Sequence, residues 1–156
     1  MAAQLWLLRH GEAEPHDSAP DEERRLTDRG RDQSRVAGQA LAALKVEVHF
    51  AFTSPKVRAR ETAVLACEPL GIAPIEHAPL YADFDATDAL ELMSAAGPEQ
   101  RVLVVGHEPD FSQVVYDLTG ARIDLKKGGI AAARLDGSRG ELIALLRPRE
   151  LARIAS

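Results

Sequence analysis

Two histidines and two arginines follow short apolar runs of this chain, at the places where buried strands would end. Arg9 and His10 come directly after one run, Arg58 lies a few residues beyond a second, and His107 follows a third. Imidazole is a nucleophile and a proton carrier, and guanidinium offers forked donors that match a phosphate. Because the carboxyl ends of parallel strands meet at one edge of a sheet, we expect these four side chains to converge there.

Each of these residues has a purely structural explanation when it is taken alone. A histidine after a strand is more often a polar loop residue than a catalyst, and Arg58 could be a solvated charge on a helix. Ser54-Pro55 is typical of a helix start. The combination is harder to explain without a ligand, because four cationic or proton-carrying groups repel one another unless an anion lies among them. The spacing therefore favours an anion-binding site.

The sequence between these groups alternates between apolar runs and helical patterns. Continuous apolar runs of four or five residues are typical of strands buried on both faces of a parallel sheet. We predict such strands at Leu5 to Leu8, Val48 to Phe52, Val102 to Val105 and Leu142 to Leu146. These runs place the candidate site at the carboxyl edge of the sheet.

Helix signals lie between the predicted strands. Thr27 is a capping residue before a helix that runs to about Leu44, and Pro109 begins another that ends at Gly120. Ser54-Pro55 predicts a helix with Pro55 at its first position. The apolar face of that helix is expected to contain Val57, Val64 and Leu65.

The remaining signals complete the predicted architecture. We expect a helix over residues 86–96 led by Asp85 or Thr87, a strand over 75–80, and a hairpin that pairs residues 130–135 with 141–146. Strands that alternate with helices indicate a parallel sheet covered on both faces. The predicted fold class is α/β, a three-layer α/β/α sandwich whose mostly parallel central sheet has an antiparallel edge element.

Length and composition narrow the protein class. The chain has 156 residues, 46% of them hydrophobic and 28% charged, which predicts a single globular domain over residues 1–156. Its net charge of −5 argues against a nucleic-acid partner.

Cys67 is the only cysteine, so no internal disulfide can form. The N-terminus lacks the pattern of a leader, and no apolar stretch approaches the roughly 18 residues of a membrane span, so we expect a cytoplasmic protein.

Three blocks of the sequence resemble the signatures of the histidine phosphatase superfamily, which has a phosphoglycerate mutase-like fold. They are Leu-Arg-His-Gly-Glu from residue 8, Ser-Pro-Lys-Val-Arg-Ala-Arg-Glu-Thr from residue 54, and Val-Val-Gly-His-Glu-Pro from residue 104. A further block, Arg-Arg-Leu-Thr-Asp-Arg-Gly from residue 24, and the short interval before His107 are similar to SixA-type phosphohistidine phosphatases. Larger relatives carry insertions that roof the site, so the rim is expected to be open here.

The resemblance implies roles for individual residues. His10 would be the nucleophile and would carry a phosphohistidine intermediate, while Arg9, Arg58 and His107 would form the phosphate pocket. Arg24 would be a further substrate-binding residue, although a surface charge in an acidic loop is an equal alternative. No cofactor and no metal are implied, because the arginines and histidines take the electrostatic role that magnesium has in other phosphoryl-transfer enzymes.

A general acid for the leaving group is less clear from the sequence. Asp83 and Asp85 fall in the interval where larger relatives carry one, but each is equally explained as a turn residue or a helix cap. An imidazole leaving group needs less help from an acid, because its own pKa is near 6.5. Together with the short chain, this favours a phosphohistidine on another protein as the substrate.

The substrate prediction has alternatives from other classes. The predicted partner is a phosphorylated protein of the histidine-phosphotransfer type in a signalling pathway, with inorganic phosphate as product and neither nucleic acid nor membrane involved. A small-molecule phosphomonoester phosphatase or mutase of the same superfamily is the alternative, followed by a non-catalytic phosphate-binding module. Lys126-Lys127-Gly128-Gly129 is either a turn with solvated lysines or a contact for an acidic partner.

Overall fold

A computed structural model describes residues 2–156 as a central sheet with helices on both faces. Within those residues the strands are β1 Ala3–Arg9, β2 Phe50–Thr53, β3 Ile75–Glu76, β4 Arg101–Gly106, β5 Ile130–Asp136 and β6 Arg139–Leu146. The helices are α1 Asp28–Ala43, α2 Val57–Cys67, α3 Ala86–Met93, α4 Asp110–Thr119 and α5 Pro148–Ala155. None of these helices combines the length and the apolar character that crossing a membrane would require.

The sheet has the strand order β3-β2-β4-β1-β5-β6. Strands β1 to β4 are parallel to one another, whereas β5 runs antiparallel to β1 and β6 antiparallel to β5. The α/β fold with a mostly parallel sheet and an antiparallel edge is therefore confirmed. Because β1, β2 and β4 are adjacent and parallel, their carboxyl ends lie side by side.

Side chains alternate between the two faces of β1, and those on each face belong to a separate hydrophobic core. Leu5 and Leu7 pack with α3 and α4, including the fully buried Phe111. Trp6 and Leu8 pack on the opposite face with α1, α2 and α5. This alternation follows from the two-residue period of a strand. The result is the three-layer arrangement, with the sheet in the middle.

Local capping explains where several helices begin and end. The Thr27 side chain accepts a hydrogen bond from the Gly30 N–H at the start of α1. Asp85 begins α3 as the N-terminal residue of a capping box with Asp88. Gly120 ends α4 in the left-handed conformation, with φ of 79°. These boundaries agree with the sequence predictions, except that α3 ends at Met93.

The predicted start and buried face of α2 are wrong. The helix begins at Val57, and Ser54 and Pro55 precede it in an irregular segment. Its buried face consists of Arg58, Ala59, Thr62, Ala63, Ala66 and Cys67. Val64 instead points outward and is 56% exposed. Close packing against α1 selects the small residues, since a Cβ at Gly38 would lie 2.1 Å from the Ala66 carbonyl oxygen.

Three other features of the secondary structure differ from what the sequence predicts. The strand expected over 75–80 is confined to Ile75–Glu76, because the 3-10 turn at Ala78–Leu80, which contains Pro79, ends the pairing. The hairpin turn is shorter than expected, with Gly137 at φ of 64° between β5 and β6. Helix α5 was not predicted at all. It has Pro148 at its first turn and buries Leu151 completely, so it forms by packing against the α1 layer.

Candidate active site

Backbone hydrogen bonds join the three loops that carry the predicted site residues. The His10 N–H donates to the Gly106 carbonyl at 3.1 Å, and the Ser54 N–H donates to the Val105 carbonyl at 3.0 Å. The pairing registers of β1 and β2 with β4 continue directly into these bonds. The sheet therefore brings the segments after β1, β2 and β4 to one place on its carboxyl edge.

His10 is buried, with 7% of its surface exposed, and its ring is oriented by the chain itself. The Nδ1 atom lies 2.7 Å from the Gly11 carbonyl oxygen, which can only accept a hydrogen bond. The proton of the neutral ring is therefore on Nδ1, and Nε2 carries the lone pair. The Arg58 Nε–H donates toward this Nε2 atom at 3.4 Å. The lone pair thus faces the cationic side of the site.

The surroundings keep the His10 ring neutral. Burial lowers its pKa to about 3, and the positive charges of Arg58, Arg9 and Lys127 act in the same direction. The hydrogen bond to the Gly11 carbonyl opposes this effect because it favours the protonated ring. At neutral pH the imidazole is therefore uncharged and its Nε2 lone pair is available.

His107 faces His10 with a ring-centroid distance of 5.3 Å. Its Nε2 atom forms a 2.7 Å hydrogen bond with Ser54 Oγ, which also accepts the Lys56 N–H at 3.2 Å. Ser54 Oγ can donate its own proton to His107 Nε2 while it accepts the Lys56 N–H, so these bonds are compatible with a ring proton on Nδ1. Burial, reinforced by His10 and Arg58, lowers the pKa of His107 to about 3. The Nδ1 atom is buried and has no hydrogen-bond partner in residues 2–156.

Two arginines complete this cationic site. Arg58 is 5% exposed, and its NH1 group donates to the Asp21 backbone carbonyl at 2.7 Å. Arg9 donates through NH1 to the Leu125 carbonyl at 3.0 Å, while its buried Nε has no partner in the described chain. Unpaired buried polar atoms are costly, so Arg9 Nε and His107 Nδ1 each favour a ligand with hydrogen-bonding oxygens.

Asp21 is a part of the site that the sequence reasoning did not identify. Its carboxylate accepts from Arg24 at 2.8 Å, from Lys56 at 3.1 Å and from Arg58 at 3.2 Å. Although partial burial opposes the change, the hydrogen bonds from these cations hold the pKa of Asp21 well below its usual range. The available signal was the Asp21–Arg24 spacing of three residues, which favours an ion pair on a helical turn.

Arg24 is buried, but it donates its hydrogen bonds to groups other than the imidazoles of His10 and His107. It donates to the Asp21 carboxylate and to the Glu14 carbonyl at 2.8 Å. Arg24 and Arg58 both bond to the Asp21 carboxylate, so Arg24 supports the position of Arg58 through Asp21. Its role in substrate binding stays a prediction.

Close backbone packing holds the loop that carries His10 against the start of α1 and against α2. A Cβ on Gly11 would lie 2.5 Å from the Gly30 carbonyl oxygen, so only glycine fits. The Gly11 N–H donates to Thr62 Oγ1 at 3.1 Å, and Thr62 Oγ1 donates to the Arg58 carbonyl at 2.8 Å. These contacts explain the glycine of the first sequence block and the threonine of the second.

The acid candidates differ in their surroundings. The Asp85 carboxylate caps α3, where Oδ1 accepts the Asp88 N–H at 2.8 Å. Asp83 is exposed and has a positive φ of 61°, as turn residues do. In residues 2–156 the one ion pair of a histidine with a carboxylate joins His49 to Glu47. No carboxylate of the described chain therefore pairs with His10 or His107, and no group of three or more His, Cys, Asp or Glu side chains there could hold a metal.

Comparisons with known proteins agree with this arrangement. A model of the histidine phosphatase superfamily, branch 1, matches residues 5–88. An uncharacterized protein of Picosynechococcus sp. is 31% identical over 95% of this chain and 98% of its own length. Phosphohistidine phosphatase SixA of Escherichia coli K12 is 41% identical over 59 residues, which are 38% of this chain and 36% of SixA. A solved structure of the protein histidine phosphatase SixA complexed with tungstate has a TM-score of 0.85 at 28% identity, covering 95% of this chain and 99% of that one.

Proposed function

This chain belongs to the histidine phosphatase superfamily and is of the SixA type, and we propose that it hydrolyses phosphohistidine on another protein, with His10 as the nucleophile. The observation that carries the proposal is the orientation of His10. Its Nδ1–H is held by the Gly11 carbonyl, and its Nε2 lone pair faces Arg58 beside His107. A neutral imidazole in a cationic pocket is suited to attack a phosphoryl group.

In the first step, His10 Nε2 forms a bond to phosphorus while the bond between phosphorus and the substrate nitrogen breaks. The electron pair of the broken bond stays on the substrate imidazole. Phosphorylated His10 carries a positive ring, and the Gly11 carbonyl 2.7 Å from Nδ1 stabilises that charge. In the second step, water attacks phosphorus, the bond to Nε2 breaks, and His10 returns to its neutral form with inorganic phosphate as product.

The remaining cations stabilise the transferring group. Charge in phosphoryl transfer spreads over the equatorial oxygens, so fixed donors supply most of the catalysis. Among the buried side-chain atoms of residues 2–156, Arg9 Nε and His107 Nδ1 lack a hydrogen-bond partner, and Arg58 reaches toward the attacking nitrogen. We assign Arg9, Arg58 and His107 to the phosphate pocket and Arg24 to an accessory position behind Asp21.

Two features favour phosphohistidine over a phosphate ester as substrate. An alkoxide leaving group needs a proton from an acid, whereas an imidazole can accept one on its second nitrogen before it departs. Asp83 is an exposed turn residue and the Asp85 carboxylate caps α3, so neither candidate acid is committed to the site, which fits an imidazole leaving group. The segment between α2 and β4 contains one α-helix, α3 of eight residues, beside short 3-10 turns and β3, and this lack of a long insertion favours an open rim.

The test is transfer of phosphate from a histidine-phosphotransfer domain carrying radiolabelled phosphohistidine. When the reaction is stopped rapidly without acid, this chain should carry the radiolabelled phosphate. The label should be stable in alkali, as expected for phosphohistidine. Replacement of the nucleophile in His10→Asn should abolish both labelling and turnover. His16→Asn, which removes an exposed loop histidine, is the matched control and should behave like the parent protein.

Other results would contradict the proposal in distinct ways. Efficient hydrolysis of sugar or acid phosphates with no release from phosphohistidine protein would assign the small-molecule alternative. Turnover that stays at trace level and is equal in the parent and in His10→Asn would assign a phosphate-binding module without catalysis. Tungstate should inhibit the parent competitively if the pocket accepts a tetrahedral oxyanion.

A further inference from the structure

A groove beside the candidate active site is lined by six cationic side chains, Arg9, Arg29, Lys126, Lys127, Arg147 and Arg149. We name it the basic groove; its volume is about 560 Å³. It is formed by the end of β1, the start of α1, the loop before β5 and the start of α5. Except for Arg9, all of its cations are exposed. The groove is therefore accessible to a large partner.

The basic groove keeps a surplus of positive charge after its own ion pairs are considered. Arg29 pairs with Glu12 at 3.5 Å and Lys126 with Asp124 at 2.7 Å. Arg147 pairs with Glu150 at 2.9 Å, and Arg149 approaches the same carboxylate at 3.7 Å. Six cations thus meet three carboxylates, on a chain whose net charge is −5. This local reversal of the overall charge favours an acidic partner.

The basic groove is continuous with the phosphate pocket. Arg9 lines both, since it precedes His10 and leaves its Nε without a partner in the described residues. The Gly128 N–H, next to Lys127, donates to the carbonyls of Arg9 and His10 at 3.1 and 3.0 Å. Lys127 is close enough for its charge to help lower the pKa of His10. A phosphoprotein with its phosphate at His10 would therefore place its surface over the groove.

We infer that the basic groove docks an acidic face of the phosphohistidine-bearing protein substrate. This inference rests on the proposed function and adds the surface that selects the carrier protein. The groove is much larger than one phosphate group, so a bound phosphate alone would leave most of it empty. Its charged, exposed side chains fit an anionic protein surface at the rim of an interface, where charge sets association rate and partner choice.

The test is a double charge reversal in the groove, Lys126→Glu with Arg149→Glu. Activity is measured on two substrates, a histidine-phosphotransfer domain of net negative charge phosphorylated on histidine, and phosphoramidate as the smallest compound with a P–N bond. The ratio of kcat/KM for the protein to kcat/KM for phosphoramidate should fall at least tenfold. In the parent, kcat/KM should also decrease more steeply with salt for the protein than for phosphoramidate.

Arg134→Glu with Arg139→Glu is the matched control. It makes the same charge change on exposed side chains, and Arg134 is paired with Glu141 at 2.7 Å much as Lys126 is with Asp124. These arginines lie at the opposite end of the sheet, because Leu135 pairs with Ala3 at the start of β1. The control should keep the substrate ratio within twofold of the parent.

The outcomes separate the two proposals. A parent protein that releases no phosphate from phosphohistidine protein overturns the proposed function and the docking inference with it. A parent that is active on both substrates, with an unchanged ratio in the groove variant, overturns the docking inference alone. If the groove variant does not fold, the salt dependence of the parent decides, and equal slopes for the two substrates overturn the inference.

Discussion

The buried, neutral state of His10 and His107 should make the free energy of unfolding depend on pH between 7.5 and 5.0. Burial lowers the pKa of each ring to about 3 in the folded protein, while an exposed histidine in the unfolded chain has a pKa near 6.5. Between those values the unfolded state binds more protons than the folded state. Stability is therefore highest above pH 6.5 and is lost as the pH falls.

The magnitude follows from the two pKa values. At pH 5.0 the unfolded ring is 1.5 pH units below its pKa, so protonation stabilises the unfolded state by about 2 kcal/mol for each histidine. The folded rings remain mostly neutral at that pH, so they do not repel each other and the two effects add to about 4 kcal/mol. The depressed pKa of Asp21 contributes only at lower pH, because its stabilising effect is lost below the ordinary aspartate value.

Urea unfolding of the parent, His10→Asn and His107→Asn at pH 7.5 and 5.0 measures this effect. Each substitution changes stability at both pH values, so the decisive quantity is the loss of stability between pH 7.5 and 5.0. That loss should be about 2 kcal/mol smaller in each variant than in the parent. His16→Asn, which removes an exposed histidine, should keep the parent's pH dependence.

An equal pH dependence in the parent and both site variants would refute this reasoning. It would mean that the rings titrate near 6.5 in the folded protein. His10 would then be partly protonated at neutral pH, and its Nε2 would be a weak nucleophile. The proposed attack on phosphorus would lose its electrostatic basis.

Substitutions at three residues test individual contacts. Arg58→Lys should lower kcat/KM on phosphohistidine protein by roughly 100-fold, because lysine cannot bond to Asp21 and reach toward His10 at once; a change below threefold would contradict this. Thr62→Val leaves the buried Gly11 N–H without its acceptor and should lower the free energy of unfolding in urea by about 1–3 kcal/mol, whereas Thr62→Ser should restore most of it. Asp85→Ala should cost about 1 kcal/mol of stability as a lost helix cap and leave kcat within twofold. A 100-fold fall in kcat would instead identify Asp85 as the general acid.

Much of the fold was predictable because its signals are local. The apolar runs of β1 and β4 reflect burial on both sheet faces, and Thr27, Asp85 and Gly120 mark helix boundaries through bonds to nearby residues. Boundaries set by distant packing were not predictable in this way. The buried face of α2 is set by its contact with α1. Helix α5 packs on the layer that contains α1, which lies more than one hundred residues earlier in the sequence.

The candidate site likewise has features that the sequence predicts and features that only the tertiary structure shows. Sequence order alone determined that His10, Arg58 and His107 follow strands that end at one edge, because parallel pairing puts carboxyl ends together. Only the tertiary structure decided that the proton of His10 lies on Nδ1, that Asp21 joins Arg24 to Arg58, and that two buried side-chain nitrogens lack partners. Those features depend on side-chain orientations and on distances of a few ångströms, which residue types and spacing do not contain.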